Sequence, residues 1–86
     1  MRYLVTGGAG FIGSHLADHL LAVENDAQVT ILDDLSTGSY GNVAHLESNP
    51  RVRVLIGSVL DEKLVDDLVR ECDAIYHLAS AVGVKL

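Results

Sequence analysis

The sequence predicts a three-layer α/β fold with a parallel sheet in the order 3-2-1-4. Short aliphatic and β-branched runs alternate with amphipathic stretches of helical period along the 86 residues, the pattern of parallel strands joined by right-handed crossovers. The first run passes directly into a glycine-rich loop and then a helix, which places a switch point between strands one and four. With 49% hydrophobic residues, eight glycines and one proline, the chain can bury one small core. Four strands make only the first half of a doubly wound sheet, so the fold is expected to be incomplete.

Arg2-Tyr3-Leu4-Val5-Thr6 is the first strand. Residues 11–24 form the first helix, with Ile12, Leu16, Leu20 and Val23 predicted to share its buried face. Asn25-Asp26 ends it, and Val29-Thr30-Ile31-Leu32 reads as a buried second strand. A polar loop and a weak helical turn over 42–47 follow, broken by Ser48-Asn49-Pro50. The third strand is expected at 51–56. Asp61 opens a second helix through Glu71, with Leu64, Val65, Leu68 and Val69 as its apolar stripe and Asp66, Asp67 and Arg70 facing water. Ala74-Ile75-Tyr76-His77-Leu78 is the fourth strand.

Between the first strand and first helix lie Gly7, Gly10 and Gly13. Gly7 permits the tight turn, Gly10 lets the backbone approach a diphosphate, and Gly13 lets helix and strand pack closely. Amides of the first helical turn, those of Phe11 and Ile12 among them, then face the anion with the helix dipole behind them. Twenty positions after Gly13 stands Asp33, at the carboxyl end of the second strand. Its carboxylate can accept from both ribose hydroxyls of an adenosine; its alternative role is to cap the loop that follows. Asp34 either caps the next turn or assists at the ribose, and the cap is favoured. A 2′-phosphate would meet the Asp33 charge with no Arg or Lys before Arg51, so the site favours NAD over NADP. Gly7, Asp33, Ser58 and Ala79 all fall at strand carboxyl ends, where ligands of such sheets collect.

At these residues the chain resembles the extended short-chain dehydrogenase/reductases, specifically the NAD-dependent epimerase/dehydratase group. Thr-Gly-Gly-Ala-Gly-Phe-Ile-Gly-Ser-His-Leu at 6–16 is similar to the group's opening motif, and Asp-Asp-Leu-Ser-Thr-Gly at 33–38 to its Asp-Asn-Leu-Ser-Thr-Gly segment. Gly-Ser-Val-Leu-Asp at 57–61 stands where the group has Gly-Asp-Val-x-Asp, and Tyr-His-Leu-Ala-Ser-Ala at 76–81 resembles its His-Leu-Ala-Ala segment. UDP-glucose 4-epimerases and UDP-glucuronate decarboxylases are the members it most resembles.

The resemblance implies a Rossmann-type half-domain over residues 1–86 that binds NAD, with a nucleotide sugar as substrate of the longer enzyme and a homo-oligomeric assembly. It implies that Leu78, Ala79 and Ser80 line the nicotinamide-side ribose and diphosphate. Ser58 departs from the group, whose Asp at that place holds the adenine amino group. A serine hydroxyl still accepts a hydrogen bond, the backbone near Val59 offers another contact, and the loss is about 0.5–1.5 kcal/mol. The group's Tyr-x-x-x-Lys pair, in which the tyrosine is general base, is not expected here. Four positions after Tyr3, Tyr40 and Tyr76 stand Gly7, Ala44 and Ser80, so no catalytic residue is assigned. The expectation is an amino-terminal portion of a longer enzyme that oxidises a sugar carbon transiently and returns the hydride. The alternatives are a dinucleotide sensor without chemistry, and a piece without ligand that orders by strand exchange or edge pairing.

A net charge of −6 argues against nucleic acid or an anionic membrane as partner. No apolar run is long enough to span a bilayer. Met1-Arg2 leads straight into a strand without a signal peptide, and the single Cys72 fits a reducing cytoplasm. Cys72 is expected to be a core thiol. His15 and His19 have metal-compatible spacing, yet nothing completes a site, so a solvated or packing pair is expected. His45 is expected at the surface. His77 reads equally as a satisfied buried histidine or a functional one; Lys85 reads as an ordinary exposed lysine in preference to a contact to substrate phosphate.

Overall fold

A computed structural model describes residues 1–7, 10–35 and 40–78. Four strands, β1 (Arg2–Thr6), β2 (Gln28–Asp33), β3 (Val52–Ile56) and β4 (Ala74–His77), form one parallel sheet in the order β3-β2-β1-β4. The helix α1 (Phe11–Val23) joins β1 to β2, and α2 (Glu62–Glu71) joins β3 to β4. The predicted fold class and strand order are the observed ones.

Strand periodicity explains the three layers. Alternate residues point to opposite faces, so Tyr3, Val5, Val29 and Ile31 share one core with Ala17, Leu20 and Leu21 of α1. Leu4 and Leu32 share the other with Leu68 of α2, against which Leu55, Val59, Leu64 and Val65 pack. β1 and β2 are covered on both faces, which is why they read as continuous apolar runs rather than alternating ones.

The face of α1 differs from the expected one. Ile12 is 72% and Val23 61% exposed, whereas Gly13, Ser14, Ala17, Leu20 and Leu21 are buried. The buried face begins at the small residues Gly13, Ser14 and Ala17 and runs on through Leu20 and Leu21. Ile12 and Val23 then turn outward although their spacing also fits one face. On α2, Val69 lies outside the buried stripe at 38% exposure while Leu68 is buried. Cys72 is half-buried rather than fully buried, as the cap residue that ends α2. Burial raises its thiol pKa.

Asp61 caps α2, its carboxylate accepting from the Leu64 amide at 3.2 Å. The weak turn resolves into two 3₁₀ turns, Tyr40–Asn42 and Ala44–Leu46. They lay Val43 and Leu46 onto the α1-side core. The exposed His45 is held by Asp18 of α1 at 2.9 Å. At the opposite end of the sheet, Arg51 donates to the Leu21, Glu24 and Asn25 carbonyls at 2.8–3.0 Å, satisfying orphan acceptors at the end of α1.

Candidate functional site

Three backbone bonds lash the carboxyl ends of the four strands together. The Gly7 amide donates to the Leu32 carbonyl at 2.8 Å, Gly57 to Asp33 at 3.0 Å, and Leu78 to Thr6 at 3.0 Å. Gly7, Asp33, Ser58 and Leu78 therefore lie together at the carboxyl ends of the strands. Ala79, Ser80 and Lys85 lie outside the described residues, so their expected roles have no structural counterpart here.

Gly7 leaves β1 with φ 77°, a left-handed conformation in which a side chain is strained. Gly10 donates to the Gly7 carbonyl at 3.1 Å, and a Cβ at Gly10 would stand 3.3 Å from that oxygen. A side chain at Gly10 would thus crowd the Gly7 carbonyl. Gly10 caps α1 without a side-chain bond, no acidic residue stands in the first turn, and Ser14 donates back to Gly10 at 2.9 Å. Helix geometry leaves the amides of Phe11, Ile12 and Gly13 without intrahelical acceptors. They form a positive rim beside the loop, the arrangement a diphosphate requires. Ile12, exposed, offers only its backbone to such an anion.

Asp33 is the last residue of β2 and only 7% exposed. One carboxylate oxygen accepts from the Leu35 amide at 2.7 Å, in a turn that puts Leu35 at φ 63°. The loop-capping role is therefore real. It does not exclude ribose binding, since a carboxylate has about four acceptor positions. Asp34 is exposed just beyond it. Arg51, the first cation after Asp33 in sequence, is committed to the α1 terminus at the amino end of the sheet, remote from any 2′-phosphate beside Asp33.

The Ser58 hydroxyl accepts from the Leu60 amide at 3.0 Å, and its carbonyl accepts from Asp61 at 3.1 Å. Beside it Ile56 and Leu60 are 56% and 70% exposed. These apolar walls escaped the sequence reading; the signal for them was an apolar residue in a Gly-Ser turn. Also missed was the bond of Thr6 Oγ1 to His77 Nδ1 at 2.8 Å. Thr6 is buried and His77 exposed, so His77 is a satisfied histidine at the surface rather than in the core. A polar residue closing an apolar strand was the available clue.

Among the described residues no group of three or more His, Cys, Asp or Glu could hold a metal. His15 and His19 are both exposed. No helix among them is long and apolar enough to cross a membrane. A cleft of about 250 Å³ lies at the amino ends of the strands, between Arg2, Thr30, Arg53 and Cys72. Its arginines are engaged, Arg53 by Glu71 at 2.7 Å and Arg2 by Asp73, and it lies at the wrong end of a parallel sheet for a nucleotide.

The family model described as GDP-mannose 4,6 dehydratase matches residues 4–86. The chain is 42% identical over 84 residues to a UDP-N-acetyl-alpha-D-glucosaminuronate decarboxylase of Bacillus cytotoxicus, covering 98% of this chain and 25% of that protein. It is 43% identical over 79 residues to UDP-glucuronic acid decarboxylase 1 of Arabidopsis thaliana, covering 92% of this chain and 17% of that one. The dTDP-glucose 4,6-dehydratase DesIV of Streptomyces venezuelae, crystallised with NAD bound, superposes with a TM-score of 0.84 at 44% identity, covering 94% of this chain and 27% of its own. The chain thus spans about a quarter or less of the relatives it matches.

Proposed function

This chain belongs to the GDP-mannose 4,6-dehydratase family, and from that premise we propose that it is the NAD-binding portion of an enzyme that rearranges nucleotide sugars. The observation that carries the reading is the pairing of the tight approach of Gly10 to Gly7 with Asp33 on the adjacent strand end. The first-turn amides hold the diphosphate, and Asp33 accepts from the adenosine ribose hydroxyls while still capping its own loop. Leu78, Ala79 and Ser80 border the nicotinamide half. NAD, when bound, supplies a hydride acceptor for a sugar carbon and returns the hydride after rearrangement.

Decarboxylases and a dehydratase both stand among the similar proteins, which supports a reaction that begins with transient oxidation of the sugar.

Calorimetric titration of the chain with NAD and NADP tests the reading. NAD binds more tightly than NADP, and Asp33→Asn weakens NAD by about tenfold, the loss of one charged hydrogen bond, while narrowing the preference. Asparagine keeps the loop cap, so the fold is retained. A folded chain that binds neither dinucleotide refutes the proposal.

A further inference from the structure

The order of the strands fixes where the base of a bound dinucleotide must lie. The glycine turn stands at the end of β1, Asp33 at the end of β2, and β3 lies beyond β2 on the side away from β1. In adenosine diphosphate the ribose separates phosphate from base. A diphosphate at Gly7 and a ribose at Asp33 therefore project the base over the end of β3. This step rests on the proposed NAD reading. Gly57, bonded to the Asp33 carbonyl at 3.0 Å, opens the segment found there. Ile56 and Leu60 supply exposed apolar surface, and Ser58 is the uncharged polar side chain between them.

The state of the Ser58 hydroxyl decides what it can recognise. Its oxygen takes one hydrogen bond from the Leu60 amide, which leaves the hydroxyl hydrogen and a second lone pair. A hydroxyl rotates to suit its partner. It can accept from a 6-amino group or donate to a 6-oxo group with the same atom in the same place. A carboxylate there would only accept, and would leave its charge facing the lone pairs of a 6-oxo purine. We propose that Ser58 is a specificity-determining residue that makes the base site indifferent to amino or oxo at purine C6. The chain then takes nicotinamide hypoxanthine dinucleotide as readily as NAD.

The test is calorimetric titration of the full chain, and of Ser58→Asp and Ser58→Ala, with these two dinucleotides at one pH and salt concentration. In the unaltered chain the two dissociation constants agree within about fivefold, since the Ser58 hydroxyl satisfies either substituent at C6. Ser58→Asp keeps the turn, because its carboxylate can also accept from Leu60, and shifts the ratio toward NAD by more than about tenfold. Ser58→Ala weakens both ligands alike, leaving the ratio as it was. A preference for NAD beyond about fivefold in the unaltered chain overturns the proposal, and so does a Ser58→Asp variant with an unchanged ratio. Far-UV circular dichroism identifies a variant that fails to fold, in which case the ratio in the unaltered chain decides alone. Binding of NAD that depends on Asp33, with a strong preference over the hypoxanthine analogue, removes this inference and leaves the NAD reading standing. A folded chain that binds neither removes both.

Discussion

Thr6 Oγ1 and His77 Nδ1 lie 2.8 Å apart at the last register position shared by β1 and β4. The next residues, Gly7 and Leu78, are both assigned to the proposed cofactor site, so this side-chain bond joins the two segments at their roots. It also gives the buried Thr6 hydroxyl, 2% exposed, the partner it needs away from water. Thr6→Val preserves shape and removes the bond, and is expected to cost about 0.5–1.5 kcal/mol in urea unfolding. Combined with His77→Phe, the losses should fall short of their sum by a similar amount. Strict additivity would show that the contact contributes nothing.

Arg51 is worth more to the fold than its surface position suggests. Its guanidinium reaches three carbonyls at the α1 terminus, where a cation also meets the negative end of the helix dipole. Arg51→Met is expected to destabilise by about 1–3 kcal/mol. The ratio of NAD to NADP affinity should not move, because the residue sits at the opposite end of the sheet from Asp33. A changed ratio would contradict that placement.

Stability should fall in strong alkali through Tyr3. Its hydroxyl donates to the Glu24 carboxylate; that bond first, then burial and the charge of Glu24, push its pKa from the ordinary 10.0 up to about 12. The folded state therefore holds the phenolic proton more tightly than the unfolded state. The stabilisation is complete below pH 10 and is lost as pH rises through about 12. Tyr3→Phe should show a shallower decline in urea midpoint over that interval. Equal slopes would mean that Tyr3 ionises at its ordinary value.

Ile31 tests the central strand. It is fully buried at the middle of β2, pairing with Val5 on one side and Val54 on the other. Ile31→Ala is expected to cost about 2–5 kcal/mol from lost burial and the cavity left behind. A loss below about 1 kcal/mol by denaturant titration would indicate that the site collapses around the smaller side chain.

Strands and their order were legible because the signals are local. Apolar runs, a turn that only glycine tolerates, and an acidic residue at a strand end each follow from nearby residues, and the crossover rule turns their sequence into the order 3-2-1-4. The rotation of α1 was less legible. Ile12, Leu16, Leu20 and Val23 satisfy the helical period, but so do Gly13, Ala17, Leu20 and Leu21. The packed structure buries the second set, and no pattern in the hydrophobicity alone distinguishes them.

The contacts of Thr6 and Arg51 were hidden for a related reason. A hydroxyl, a guanidinium or a carboxylate can bond to many groups, and which one it meets depends on elements brought from far along the chain. Arg51 lies 30 positions from Leu21, and Thr6 lies 71 from His77. The amino-acid sequence by itself therefore determined the parallel α/β architecture, the glycine turn and the acidic strand end, because backbone sterics and burial act on neighbouring residues. Tertiary structure alone decided which helix face is buried, which cation caps α1 and which side chain closes the β1–β4 edge, because those outcomes depend on distances set only once the layers have packed.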